Sequence, residues 1–265
     1  MTVSIILPTY NRSRFLNEVI NSVLNQTYKD FELIIIDDGS NDNTRELVKE
    51  YKDSRIVYLY QSNQGVVKAR NAGIRIAKYK IIAFIDSDDA WYQDKLMLQM
   101  RVIKNKNLDW CFSAIDEIYG DKMKARGGAI TSSFFKDVIL GGVSVPISTI
   151  VIKKKFLLKY SIFDNFYSKY KKYGFEISEH QDLCIKMSLY GNGYAIQDSL
   201  ALYGVHSEQL SNSLNARSAL IVAALRVKYK FGRIPFGLII YLAVKFIVSM
   251  GRFSLKKLIS LVAKV

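Results

Sequence analysis

Proline, histidine and cysteine are scarce in this chain of 265 residues, which holds three, two and two of them. With so little proline and with plentiful aliphatic and aromatic residues, a disordered low-complexity chain is excluded, and most of the sequence is expected to be ordered. The two cysteines, Cys111 and Cys184, lie far apart inside apolar patterns. They read as free, buried thiols of a reducing compartment, not as a disulfide. No Gly-x-Gly-x-x-Gly follows the first apolar strand and there is no phosphate-cradling P-loop, which argues against a dinucleotide fold. No basic leader or cleavage site opens the sequence, so a cytoplasmic protein is expected. Long apolar runs are missing too: Ile234–Val244 has eleven residues before Lys245 interrupts it, short for a spanning helix. Acids vanish towards the end. After Glu208 there are ten Lys and Arg and no Asp or Glu, so of the formal net charge of +14 only about +4 belongs to residues 1–208.

What is present alternates. Val3–Pro8, Phe31–Ile36 and Ile81–Ile85 are short apolar runs, and Ile56–Tyr60 alternates as a further strand. Between and after them Phe15–Leu24, Thr44–Tyr51, Val66–Ala77 and Lys95–Lys104 have helical spacing, with Asp42 or Asn43 as an N-cap. Apolar strands joined by helices indicate an α/β fold with a mostly parallel, Rossmann-like sheet covered on both faces. The second half is less regular. Trp110–Ile118 and Val145–Ile152 read as strands, Gly120–Gly142 as loops, and Glu179–Gly191 as a helix with Leu183, Met187 and Tyr190 on one face.

In open sheets of this kind ligands bind outside the carboxyl ends of the strands. Polar residues gather there: Pro8-Thr9-Tyr10-Asn11-Arg12, Asp37-Asp38-Gly39-Ser40 and Asp86-Ser87-Asp88-Asp89. If Asp86–Asp88 is extended, its two carboxylates point the same way. They then form a hard oxygen site suited to Mg2+ or Mn2+, with water and diphosphate oxygens completing the shell. A solvated turn capping the next helix is the plainer alternative. Asp89 crowds two like charges, which is costly without a cation or a partner. Asp38 suits a uracil N–H or a ribose hydroxyl, and Arg70 is a basic residue suited to phosphate charge.

These residues carry a resemblance. Val3-Ser4-Ile5-Ile6-Leu7-Pro8-Thr9-Tyr10-Asn11, Ile36-Asp37-Asp38-Gly39-Ser40, Asn63-Gln64-Gly65 with Ala69-Arg70-Asn71-Ala72-Gly73, and Phe84-Ile85-Asp86-Ser87-Asp88-Asp89 occur in this order. Together they resemble family 2 glycosyltransferases of the GT-A fold, best over residues 1–100. The resemblance implies inverting transfer from a UDP-sugar. It implies that Pro8 and Tyr10 line the base pocket with Tyr10 stacking on uracil, and that Asp38 bonds the uracil. Asn63 and Arg70 would lie near the nucleoside or the sugar, Asp86 and Ser87 would contact ribose or donor sugar, and Asp88 would bind the metal. The family's general base opens a helix in the second half, within a Glu-Asp pair. The matching segment Ser178–Met187 departs from that pair, leaving Asp182, Glu179 and His180 as candidates with Asp182 preferred. His206 falls in a segment, Tyr203–Ser211, that resembles one closing over the donor, and would join the metal shell. Such a carboxylate deprotonates the acceptor hydroxyl as it attacks, and one in-line displacement inverts the anomeric centre. The aromatic, lysine-rich stretch Phe156–Phe175 suits a sugar face and an anionic lipid-linked acceptor, or simply forms a partly buried cover.

The expected organisation is a transferase domain over 1–215, with a nucleotide-sugar half (1–105) and an acceptor half (106–215), then a basic amphipathic extension over 216–265. Lys245, Arg252 and Lys256 share one side of a helix whose remainder is apolar. That is the pattern of a helix lying on an anionic membrane surface. It would set the protein peripherally on the inner face of the cell membrane, building a surface polysaccharide such as an O-antigen or capsule. Packing on the body or a homo-oligomer interface are alternative uses of the tail, and nucleic acid is not an expected partner. Two rival functions are a non-catalytic UDP-binding scaffold and a sugar-nucleotide pyrophosphorylase. The second needs a Gly-rich basic loop that Tyr10-Asn11-Arg12 does not supply. A surface-lying tail predicts co-sedimentation with anionic but not neutral vesicles and release by alkaline carbonate. Retention after carbonate would indicate a spanning segment instead.

Overall fold

The computed structural model describes residues 1–119, 122–126, 145–160, 163 and 179–204. Its strands are β1 (Val3–Thr9), β2 (Phe31–Asp37), β3 (Ile56–Tyr60), β4 (Ile81–Phe84), β5 (Asp89–Trp91), β6 (Trp110–Tyr119), β7 (Lys122–Arg126), β8 (Val151–Lys153) and β9 (Gly193–Gly204). Its helices are α1 (Ser13–Leu24), α2 (Thr44–Glu50), α3 (Val66–Ile76), α4 (Lys95–Lys106), α5 (Lys154–Tyr160) and α6 (Glu179–Tyr190), and a 3-10 turn covers Ile147–Thr149. The strands form one mixed sheet in the order β3-β2-β1-β4-β8-β6-β9-β5, with β7 paired to β6. β3, β2, β1 and β4 run parallel. β8 is antiparallel to β4 and β6, β9 runs parallel to β6, and β5 closes the sheet antiparallel to β9.

Every residue of β1 and β2 is buried, as expected of mostly apolar strands covered on two faces, and the buried Ser4 hydroxyl donates to Glu32 Oε1 at 2.6 Å. On one face Val3, Ile5, Leu7, Leu33 and Ile35 meet Leu16, Val19, Ile20 and Val23 of α1 and Leu96, Met100 and Ile103 of α4. On the other face α3 lies so close to β1 that a Cβ at Gly73 would sit 2.6 Å from Ile6 Cγ2. The starts of α1 and α2 share one side chain. Asp42 Oδ2 accepts from the Ser13 N–H (3.0 Å), and Asp42 Oδ1 accepts from the Thr44 N–H (3.1 Å) and hydroxyl (2.6 Å). Burial pushes the Asp42 carboxyl up, but these bonds outweigh it and hold the group below its ordinary value. Asn43 occupies the N-cap position of α2 without a side-chain bond, so of the two expected caps Asp42 does the capping.

The second half departs from expectation in two places. Val145–Ile152 is not a single strand: the Thr149 N–H turns back to the Pro146 carbonyl at 3.0 Å, and only Val151–Lys153 is extended. Within the stretch read as loops, Lys122–Arg126 is a strand paired antiparallel to β6, a hairpin arm whose basic residues gave no apolar alternation. β5 and α5 are too short to leave a periodic signature. Residues 216–265, and the tail reading with them, lie outside the described residues.

The α3–β1 approach makes Gly73→Ala an overpacking change. It should cost about 1–3 kcal/mol in urea denaturation. An unaltered midpoint would mean that Ile6 yields without strain.

Candidate active site at the sheet switch point

The chain winds from β1 outward to β2 and β3, then returns to place β4 on the other side of β1. The crevice at the carboxyl ends of β1 and β4 is therefore the topological switch point where such sheets bind ligands. The loops around it are stitched together. The Asp38 N–H donates to the Thr9 carbonyl (2.9 Å), the Asn11 N–H to Ser40 Oγ (2.9 Å), and the Asn41 N–H to Asn11 Oδ1 (2.8 Å). Asn11 adopts φ 51°, a left-handed conformation that asparagine tolerates better than most residues. Beside it Tyr10 is 45% exposed, an open ring face at the crevice, while Pro8 is buried in β1.

The two acids after β2 have different tasks. Asp37 is fully buried and accepts from the Ser40 N–H (2.8 Å) and the Tyr58 hydroxyl (2.6 Å). Burial, reinforced by the Asp37 bond and charge, pushes the Tyr58 phenol well above its ordinary value. Asp38 Oδ1 accepts from Gln61 Nε2 (2.6 Å) and the Gln64 N–H (3.0 Å), and Oδ2 from the Gly65 N–H (2.7 Å). A carboxylate offers about four acceptor positions, so Asp38 can take one further N–H on Oδ2 while it shapes the 61–65 loop. That loop carries Asn63, which is exposed and packs its backbone over Gly39, where a Cβ would meet Asn63 N at 2.8 Å. From its motif Asp38 is expected to hold a ligand; that it also binds Gln61, Gln64 and Gly65 shows only in the structure, although Gln64-Gly65 stand out as a motif.

The acids after β4 do not continue an extended strand. The Asp89 N–H donates to the Asp86 carbonyl at 3.2 Å, closing a turn over 86–89. This corrects the expectation that Asp86 and Asp88 point the same way through strand geometry. Arg70, buried on α3, reaches Asp86 Oδ1 with Nη2 at 2.5 Å and lies 5.8 Å from the Phe163 ring. Its charge thus answers an acid in the turn, where the sequence had assigned it to phosphate. Ser87 and Asp88 are half-buried at the tip. Asp89 is buried beneath them and accepts from the Ser148 hydroxyl through Oδ2. Burial first, then the charges of Asp86 and Asp88, push its carboxyl well above the ordinary range.

Among the described residues no group of three His, Cys, Asp or Glu forms a cage for a metal ion. The chemistry suits a shared site instead: Mg2+ takes one or two carboxylates and completes its shell with substrate phosphates and water. Asp88 at the tip of an acid-rich turn fits that description. β9 ends beside it, since a Cβ at Gly204 would meet the Asp88 carbonyl at 2.7 Å. His206, expected in the metal shell, lies outside the described residues.

Asp182 is 2% exposed and ion-paired with Lys186 one turn along α6. The residue preferred from the sequence as general base is thus buried and already paired. Glu179 and His180 open the same helix, and their side chains lie outside the described residues.

The model of the family described as Glycosyl transferase family 2 matches residues 4–166. The chain belongs to glycosyl transferase family 2. Escherichia coli WfgD, named UDP-Glc:alpha-D-GlcNAc-diphosphoundecaprenol beta-1,3-glucosyltransferase, is 38% identical over 125 residues, covering 47% of this chain and 49% of WfgD. Staphylococcus aureus TarS 1–349, solved with UDP-GlcNAc, superposes with a TM-score of 0.68 at 18% identity, covering 93% of this chain and 72% of that one. The mannosyltransferase PcManGT of Pyrobaculum calidifontis, solved with GDP-Man and Mn2+, gives 0.62 at 16% identity, covering 92% and 69%. These likenesses establish the GT-A fold. The chain spans only 19%, 23% and 20% of the length of three rickettsial glycosyltransferases that it matches.

Below the acid turn of this family 2 chain lies a buried amine that the sequence reading missed. Lys95 is fully buried, donates to Gln99 Oε1 at 2.6 Å and sits 3.9 Å from the Trp91 ring centroid. Burial lowers its pKa from 10.5 to about 7, opposed weakly by Cys111. Between those values the unfolded chain binds a proton that the folded chain does not, so stability rises with pH across this window. Below about 7 both states are charged and the cost of burying the ammonium is fully present. Relative to Lys95→Met, the wild type should therefore gain stability as the pH is raised from 7 towards 10, read by urea denaturation at each pH. Parallel pH profiles for the two proteins would show that Trp91 and Gln99 keep the ammonium charged.

Proposed function

We propose that this chain is an inverting transferase that moves one sugar from a UDP-sugar to a hydroxyl of a lipid-linked glycan. The observation that carries this is the meeting, at one switch-point crevice, of an aromatic and carboxylate pocket (Tyr10, Asp38) with the acid turn Asp86–Asp89. Both lie within the span matched by the family model. The name of WfgD, with its UDP-Glc donor and diphosphoundecaprenol-linked acceptor, supports the substrate class, and the UDP-GlcNAc bound to TarS supports the nucleotide.

In this reading Tyr10 stacks on the uracil and Asp38 accepts its N–H on the remaining Oδ2 position. Asn63 borders the nucleoside. Asp86, oriented by Arg70, accepts from a ribose or donor-sugar hydroxyl with Ser87 beside it. Asp88 would hold Mg2+ or Mn2+, with His206 as a further ligand. Such an ion, when bound, neutralises charge on the diphosphate. The general base belongs at the opening of α6. The burial of Asp182 against Lys186 supports an anchoring role for that pair. An acceptor hydroxyl must come within hydrogen-bond reach of the base, which favours Glu179 or His180. The basic tail would keep the enzyme on an anionic membrane surface, near its acceptor.

The test is UDP release from a panel of UDP-sugars with Mn2+ or Mg2+. One donor should be hydrolysed slowly without acceptor, and Asp88→Ala should abolish this. Asp182→Asn should lower the melting temperature more than kcat. Loss of the base should cost about 10²–10⁴-fold, in Glu179→Gln or in His180→Gln. A rate that falls below about pH 6–7 marks the histidine, and one that falls only near pH 4–5 the glutamate. An inactive Asp182→Asn with unchanged melting would return the base to Asp182. UDP binding with no turnover of any donor, with acceptor present, would favour the scaffold reading, which the missing Glu-Asp pair permits.

A further inference from the structure

We propose that Ser148, in the 3-10 turn of the second half, is the positioning residue that sets the geometry of the acid turn. One fully buried hydroxyl holds both ends of that turn. Ser148 Oγ accepts the Asp86 N–H at 3.0 Å and donates to Asp89 Oδ2. This matches what a serine hydroxyl offers, one donor and two acceptor positions. Ser87 and Asp88 are strung between the two anchored residues.

Ser148 is itself held. Its carbonyl accepts from Trp91 Nε1 at 2.9 Å, and the carbonyl of its neighbour Thr149 accepts from Gln99 Nε2 at 2.8 Å. Gln99 in turn takes the Lys95 ammonium on its other atom, at 2.6 Å. Trp91, Lys95 and Gln99 recur every four residues along β5 and α4, forming a buried polar strut from the helix to the turn. Without the hydroxyl, the Asp86 N–H and the Asp89 carboxylate each lose a buried partner. The backbone between them is then free to re-close in another geometry, and Asp88 moves with it. Asp38, on the other side of the crevice, is held by Gln61, Gln64 and Gly65, none of which belongs to this strut. The hydroxyl therefore governs the Asp88 side of the crevice and leaves the base pocket untouched.

This inference rests on the proposed nucleotide-sugar reading, and its test separates the two. UDP binding to the full chain is measured by calorimetry with and without Mn2+, alongside thermal melting, for wild type, Ser148→Ala, Ser148→Thr and Trp91→Phe. Ser148→Ala should weaken UDP binding in Mn2+ by about 10–100-fold, the usual effect of removing a group that orients a metal ligand. Binding of UDP without metal should fall by much less, since only Asp86 of the turn would then touch the nucleoside. Ser148→Thr, which keeps the hydroxyl, should recover the Mn2+ effect. Trp91→Phe removes the N–H to the Ser148 carbonyl together with part of a buried ring, and should show a smaller loss in the same direction, read beyond any fall in melting temperature, which keeps the test open if Ser148→Ala fails to fold. Equal weakening with and without Mn2+, tracking a fall in melting temperature, would reduce Ser148 to a structural role and overturn the proposal. So would unaltered Mn2+-dependent binding in Ser148→Ala. A wild type that binds no UDP under either condition would overturn the nucleotide-sugar reading together with this one.

Discussion

Three carboxylates fall within four residues at the mouth of an apolar strand, and the surrounding structure is arranged to answer them. Like charges this close, partly removed from water, raise one another's cost of ionisation. Arg70 answers Asp86 from α3, and the Ser148 hydroxyl answers Asp89 from the second half. Asp88 stays at the half-buried tip. The first partner is local to the first half of the chain, 16 residues away. The second comes from a segment 59 residues away, so the turn exists in this form only when the two halves of the sheet have joined through β4 and β8.

The opposite wall of the crevice follows a related logic with backbone donors. Asp38 gathers the Gln64 and Gly65 N–H groups and the Gln61 amide, so a negative charge is used to bend a loop. Three donors leave room for one more on a carboxylate already fixed in orientation. Asp42 does similar work further out, joining the starts of two helices. On this side of the site one acid each holds a loop, a pair of helices or a tyrosine, and their crowding is relieved by distance and by N–H donors.

Family membership and fold agree with this arrangement without dictating its details. The family model covers the first half of the sheet and the strut region. The superposed transferases share the sheet at low identity. Within that frame α6 turns its Asp182–Lys186 pair inward and opens with Glu179 and His180.

The elements from β1 to β4, and α4, could be read from the sequence almost residue by residue, because their signals are local. A fully apolar run marks a doubly covered strand, and 3.6-residue spacing marks the helices between. The polar clusters at the strand ends were legible for the same reason: strand ends are local, and parallel strands bring their carboxyl ends together. Short strands such as β5 and the turn at Ile147–Thr149 carry too few residues for a period to show. What tertiary structure alone decided was partnership. That Arg70 pairs with Asp86, that Asp182 folds against Lys186, and that Ser148 bonds both ends of the acid turn depend on which groups lose water together. Burial is a property of the assembled halves, and no spacing along the chain records it.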